Sequence, residues 1–110
     1  MDVSLFIKDF EFGAKVSTKL MELDSLFEFC EKSSDVSDST QLVIVDLDNK
    51  ETGNEFFIHQ MASDRNDIQI VGYMKQVQKE YHEKFKTAGC SVILPKSSLV
   101  KNLSTFIKSK

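Results

Sequence analysis

The sequence predicts a doubly wound α/β domain on a five-stranded parallel sheet, and three observations carry that reading. Within Gln41–Asp48, the apolar run Leu42-Val-Ile-Val45, three of whose residues are β-branched, leads straight into Asp46 and Asp48. A short, continuously apolar, β-branched run is the signature of a strand buried on both faces, and such strands belong to parallel sheets covered by helices. Short runs of this kind alternate along the chain with stripes at helical spacing, as crossover connections require. Finally, 110 residues supply one core and one domain, spanning 1–110.

The elements follow in order. Val3-Ser-Leu-Phe-Ile7 reads as the first strand, ending at Lys8-Asp9. Phe12, Val16, Leu20 and Leu23 then form an i, i+4, i+8, i+11 stripe, with Lys15, Lys19 and Glu22 off it, which predicts an amphipathic helix. Ser25-Leu-Phe-Glu-Phe-Cys30 alternates and reads as a half-exposed edge strand. Residues 33–40 are polar and low in complexity, a surface connection with room for one helical turn.

Gln41–Asp46 is the third strand. Asn54 is a candidate cap for a helix carrying Phe56, Phe57, Ile58 and Met61, all read as core-facing, and ending near Ser63–Asp67. Ile68–Gly72 is the fourth strand; Val77, Tyr81 and Phe85 step along the next helix, stopped by Gly89. Ser91–Leu94 is the fifth strand, ending at Pro95-Lys96. The final helix carries Leu99, Val100, Leu103, Phe106 and Ile107, with Ser97 or Ser98 available as its N-cap.

Composition bounds the function. Hydrophobic residues make up 41% and charged residues 28%, an ordinary globular balance, and the net charge of −3 comes with scattered lysines. That argues against nucleic acid, whose phosphates demand clustered Lys and Arg. No apolar run approaches membrane-spanning length and no leader-like segment opens the chain, so the expectation is a cytoplasmic protein with no membrane partner. Cys30 and Cys90 sit singly in apolar segments and read as small buried hydrophobes. With no glycine-rich phosphate loop, nucleophile elbow or acid-base histidine pair, an independent enzyme is not expected.

In open α/β sheets, ligands and chemistry gather beyond the carboxyl ends of the strands, which is where Asp46 falls. The segments "LFIKDF" at Leu5–Phe10, "LVIVDLD" at Leu42–Asp48, "IVGY" at Ile70–Tyr73 and "AGCSVILPKS" at Ala88–Ser97 carry a resemblance. Over essentially the whole chain, the sequence resembles a response-regulator receiver domain of the chemotaxis type, in a divergent, stand-alone form. The resemblance implies a flavodoxin-like (βα)5 sheet of order 2-1-3-4-5, with Asp9, Asp46 and Lys96 around one crevice. It further implies a two-component phosphorelay in which Asp46 accepts a phosphoryl group, Asp9 and Asp46 hold Mg2+, and Lys96 holds the phosphoryl oxygens. A histidine kinase or another signalling protein is then the partner. The partner face would include Tyr73, Met74, Tyr81 and Lys96, and a homodimer through that face is compatible with it.

The chain departs from the family pattern at three places. Lys8 stands where a second acid is usual, which counts against Mg2+; either a Lys8–Asp46 pair replaces the metal, or Lys8 points away and Glu11 fills in. Gly72 stands where a Thr or Ser is expected at the end of the fourth strand. Pro95-Lys96 reverses the usual Lys-Pro order. Asp46 is therefore read two ways, as an acceptor or as a structural acid that caps the next turn or pairs with Lys8 or Lys96. The alternative function is a non-phosphorylated pseudo-receiver, a protein-protein interaction module.

Overall fold

A computed structural model describes residues 2–107. The element order is β1 (Asp2–Phe6), α1 (Phe10–Glu22), β2 (Leu26–Phe29), a 3-10 turn (Ser33–Asp35), β3 (Thr40–Asp46), α2 (Glu55–Asp64), β4 (Gln69–Met74), α3 (Lys79–Ala88), β5 (Val92–Pro95) and α4 (Lys96–Phe106). The five strands form one sheet of order β2-β1-β3-β4-β5, and every pairing is parallel. This is the doubly wound receiver topology, with one 3-10 turn in place of a helix between β2 and β3.

The period-2 pleat of the central strands explains why both faces are apolar. Along β3, Leu42 and Ile44 point into a core shared with Val16 and Leu20 of α1 and Leu99 and Leu103 of α4. Val43 and Val45 point the other way, against Ile58 and Met61 of α2 and Phe85 of α3. All four β3 side chains have no solvent exposure. α1 is capped by Asp9, whose Oδ1 accepts from Phe12 N at 3.2 Å, and α2 by Asn54, which accepts from Phe56 N at 2.8 Å.

Several boundaries differ from the sequence reading. β4 runs on to Met74, so Gly72 is an interior position paired with Val45, and a Cβ there would stand 2.5 Å from Leu47 Cδ1. Neither Ser97 nor Ser98 caps α4: the helix begins at Lys96 behind Pro95, with no side-chain cap. Phe56, expected in the core, is 81% exposed, because α2 turns only Ile58 and Met61 fully inward. α3 starts at Lys79, after Val77, and Tyr81 lies on its exposed side at 42%. Cys30 and Cys90 are buried free thiols, and burial pushes them up to about 11 and about 12. Among the described residues no helix is long and apolar enough to cross a membrane.

Candidate functional site

The carboxyl ends of β1, β3 and β4 and the start of α4 bring Asp9, Asp46, Asp48, Tyr73 and Lys96 to one end of the sheet. Asp46 closes β3, half-buried, and opens the following turn: its Oδ1 accepts from Asp48 N at 2.9 Å, and Thr52 Oγ1 donates to its carbonyl at 2.6 Å. Burial pushes the Asp46 carboxyl above the usual aspartate range and the neighbouring Asp48 charge adds to this, against the pull of backbone N–H donors and Lys96. Asp48 reaches across to the next loop, where its Oδ2 accepts from Lys75 N at 2.8 Å. An acid that sequence reading could leave as an exposed loop residue thus ties the β3 and β4 loops together.

Asp9 is held at both oxygens. Oδ1 caps α1, while Oδ2 takes the Lys96 ammonium at 3.1 Å. The Phe12 backbone N–H first, and then Lys96, hold the Asp9 carboxyl below its usual range. Lys96 also lies 4.9 Å from the centre of the Phe12 ring, a cation–π arrangement that fixes its stem over α1. The sheet therefore brings Asp9 and Lys96 together and sets Asp46 within reach of the Lys96 charge.

Lys8 does not pair with Asp46 but points away from it, the second of the two expected arrangements. Its ammonium points out of the crevice and pairs with Glu51 Oε1 at 2.7 Å, in the turn after β3. Hydrogen bonding and charge from Glu51 raise the Lys8 pKa. Glu11 does not fill the vacated place with its side chain, which lies on the exposed first turn of α1.

The position beside Asp46 in the next strand is Tyr73, by the parallel register Asp46↔Tyr73. The phenol is buried at 1% exposure, packs on Phe12 at 4.9 Å between ring centres, and its hydroxyl has no hydrogen-bond partner among the described residues. Burial, then the charges of Asp46, Asp9 and Asp48, push its pKa far up, so it is a neutral phenol at all ordinary pH. The hydroxyl that sequence reasoning missed at Gly72 is thus present one residue later, but on a large ring locked into the core. The β-strand pairing, which the sequence alone does not give, is what finds it.

The expected partner face needs correcting for the same reason. Tyr73 and Met74 are interior residues of β4, exposed by only 1% and 5%, and present no surface. Tyr81 remains on the surface of α3, while Lys96 is turned towards α1 and Asp9.

The donor set does not fit Mg2+, the cofactor implied by the resemblance. A small dication needs oxygen ligands free to approach it. Both oxygens of Asp9 are engaged, one by an ammonium that repels a cation, and Asp46 already accepts a backbone N–H. Among the described residues no group of three His, Cys, Asp or Glu side chains converges anywhere in the chain.

Comparison with known proteins bears on the fold. No protein-family model and no curated protein matches the sequence. Solved structures do match over nearly the whole chain. One is an orphan response regulator of H. pylori, 15% identical with a TM-score of 0.79, covering 98% of this chain and 97% of that one. A second is an atypical orphan response regulator whose regulatory mechanism is described as phosphorylation-independent, 18% identical with a TM-score of 0.80, covering 97% of this chain and 92% of that one. A third, from Burkholderia pseudomallei, carries a phosphorylated aspartic acid and a calcium ion; it is 11% identical with a TM-score of 0.82, covering 98% of this chain and 66% of that one. These likenesses establish the receiver fold and, at such identities, the fold alone.

Proposed function

We propose that the protein is a signalling module of the receiver fold that acts by binding a partner protein, without phosphorylation of Asp46. The observation that carries this reading is the Lys96–Asp9 pair at 3.1 Å. Phosphoryl transfer to a carboxylate brings anionic oxygens next to an existing anion, so a receiver needs a dication on one side and a free cation on the other. Here one lysine is spent on the carboxylate that would hold the dication, and Lys8, where a second acid is usual, is drawn away by Glu51. The missing hydroxyl adds to the argument: Gly72, where a small hydroxyl would report modification, has no side chain, and the Tyr73 phenol beside Asp46 is locked into the core. The partner is another signalling protein, in keeping with the solved structures of similar fold.

A second reading keeps Asp46 as an acceptor fed by a histidine kinase, and its half-buried place at the end of β3 favours it. One experiment separates the two. The wild type and Asp46→Asn are incubated with acetyl phosphate over a range of magnesium concentrations and weighed intact. No phosphoryl adduct on the wild type is the expected result. A phosphoryl adduct on the wild type that disappears in Asp46→Asn overturns the proposal in favour of the second reading.

A further inference from the structure

The burial of Tyr73 and Met74 leaves the partner surface to be found elsewhere. A groove of about 840 Å3 lies between α1 and α4. Phe12, Ala14 and Val100 give it an apolar lining, and the lysines Lys15, Lys19, Lys75 and Lys96 surround that lining against a single acid, Glu22. The groove therefore runs opposite in sign to the chain as a whole, which carries a net charge of −3. Lys96 is engaged with Asp9, but Lys15, Lys19 and Lys75 join no ion pair among the described residues. Uncompensated cations ranged along an apolar trough inside an acidic molecule call for an anionic, partly apolar occupant.

Lys15 and Lys19 stand one helical turn apart on α1, a spacing of about 6 Å, which matches two carboxylates one turn apart on an opposing helix. Nucleic acid is the poorer fit: the groove offers point-like lysines without arginine, and the molecule's overall field repels a polyanion. We propose that the α1–α4 groove docks an acidic amphipathic segment of a partner protein, its carboxylates on Lys15 and Lys19 and its apolar side chains against Phe12 and Val100. This rests on the partner-binding reading above and gives the partner its chemistry.

The probe is a fluorescein-labelled helical peptide of about four turns with Glu pairs at i, i+4 and Leu on the adjoining stripe. Its binding is followed by anisotropy against the full chain without any phosphodonor. The expected result is binding that weakens as salt is raised and falls about tenfold or more in Lys15→Gln/Lys19→Gln. Lys84→Gln, on the α2–α3 groove across the sheet, leaves binding unchanged. Circular dichroism of each variant establishes that the fold is intact. Failure of the acidic peptide to bind either without or with acetyl phosphate, equal binding of its Glu-to-Lys counterpart, or indifference to the lysine pair overturns the proposal. So does concentration-dependent self-association that the lysine pair abolishes, because the occupant is then a second copy of the chain. Binding that appears only after acetyl phosphate is added supports the groove and overturns the phosphorylation-independent reading, so the two can fail separately.

Discussion

At the scale of single residues, Asp9 and Asp46 are displaced in opposite directions by their surroundings, and pH tells them apart. The Asp9 carboxyl is lowered by the Phe12 N–H and by Lys96, so it contributes stability that is present above the unfolded value and lost as pH falls through the folded one. Asp46 is raised, first by burial, so the folded state binds its proton more tightly than the unfolded chain does. Its contribution is favourable below the unfolded value and is lost as pH rises through the folded one. At neutral pH the ionised Asp46 therefore weakens the fold. Asp46→Asn keeps an amide oxygen for the Asp48 N–H and removes the buried charge. Thermal melts are expected to place the Asn variant above the wild type at pH 7, with the gap closing as pH falls into the acid range. Asp9→Asn is expected to melt below the wild type at pH 7. A wild type more stable than Asp46→Asn at pH 7 would mean that the carboxylate has a stronger partner than the backbone donors seen here.

At the scale of elements, the polar stretch 33–40 shows what a sequence pattern hides. Its composition marks a surface connection with one helical turn, and the Ser33–Asp35 turn is there. What fixes it is distant in sequence: Arg65, the C-cap of α2, donates to the carbonyls of Ser37 at 3.0 Å, Asp38 at 3.2 Å and Thr40 at 3.0 Å. Asp67 holds the other side of the guanidinium at 3.0 Å. A planar fork with several donors can satisfy three carbonyls at once, whereas an ammonium on a flexible stem cannot hold the same geometry. Arg65→Lys is therefore expected to behave like Arg65→Ala, with amide exchange across residues 37–40 faster by about tenfold or more. Exchange in β3 beyond Thr40 stays near wild type in both. Full protection in Arg65→Lys would show that charge alone fixes the loop. No local pattern announces such a clamp, because its partners are backbone carbonyls of ordinary residues. The Asp9 and Asn54 caps, by contrast, are legible: a short polar side chain at a fixed offset from an apolar stripe is a local signal. The expected Ser97 or Ser98 cap fails because Pro95 brings the chain directly from β5 into the helix at Lys96.

At the scale of the whole molecule, the sequence revealed the layers better than the site. Strand and helix periods differ, so five parallel strands and four helices can be read from side-chain spacing, and β3 is recognisable from the continuous run Leu42–Val45. Which residue stands beside Asp46 depends on register between strands, and which lysine meets which acid depends on loop geometry; neither leaves a periodic trace. That is why Tyr73, the Lys8–Glu51 pair and the lysine-rim groove emerge only from the folded chain. The same layering governs stability. The core on the α1–α4 side and the core on the α2–α3 side do not share side chains, yet alternate residues of β1, β3 and β4 feed both. Damage to one face must pass through the backbone of strands that the other face holds. Leu103→Ala on one side and Ile58→Ala on the other each remove a side chain with no solvent exposure, at a cost of about 2–5 kcal/mol. Because the two sites lie in separate clusters across the sheet, their costs are expected to add to within about 0.5 kcal/mol in the double variant. Urea unfolding should remain one transition, superimposable by far-UV circular dichroism and tyrosine fluorescence, for all three variants. Two separated transitions in either single variant would mean that the faces unfold independently and that the shared strands do not couple them.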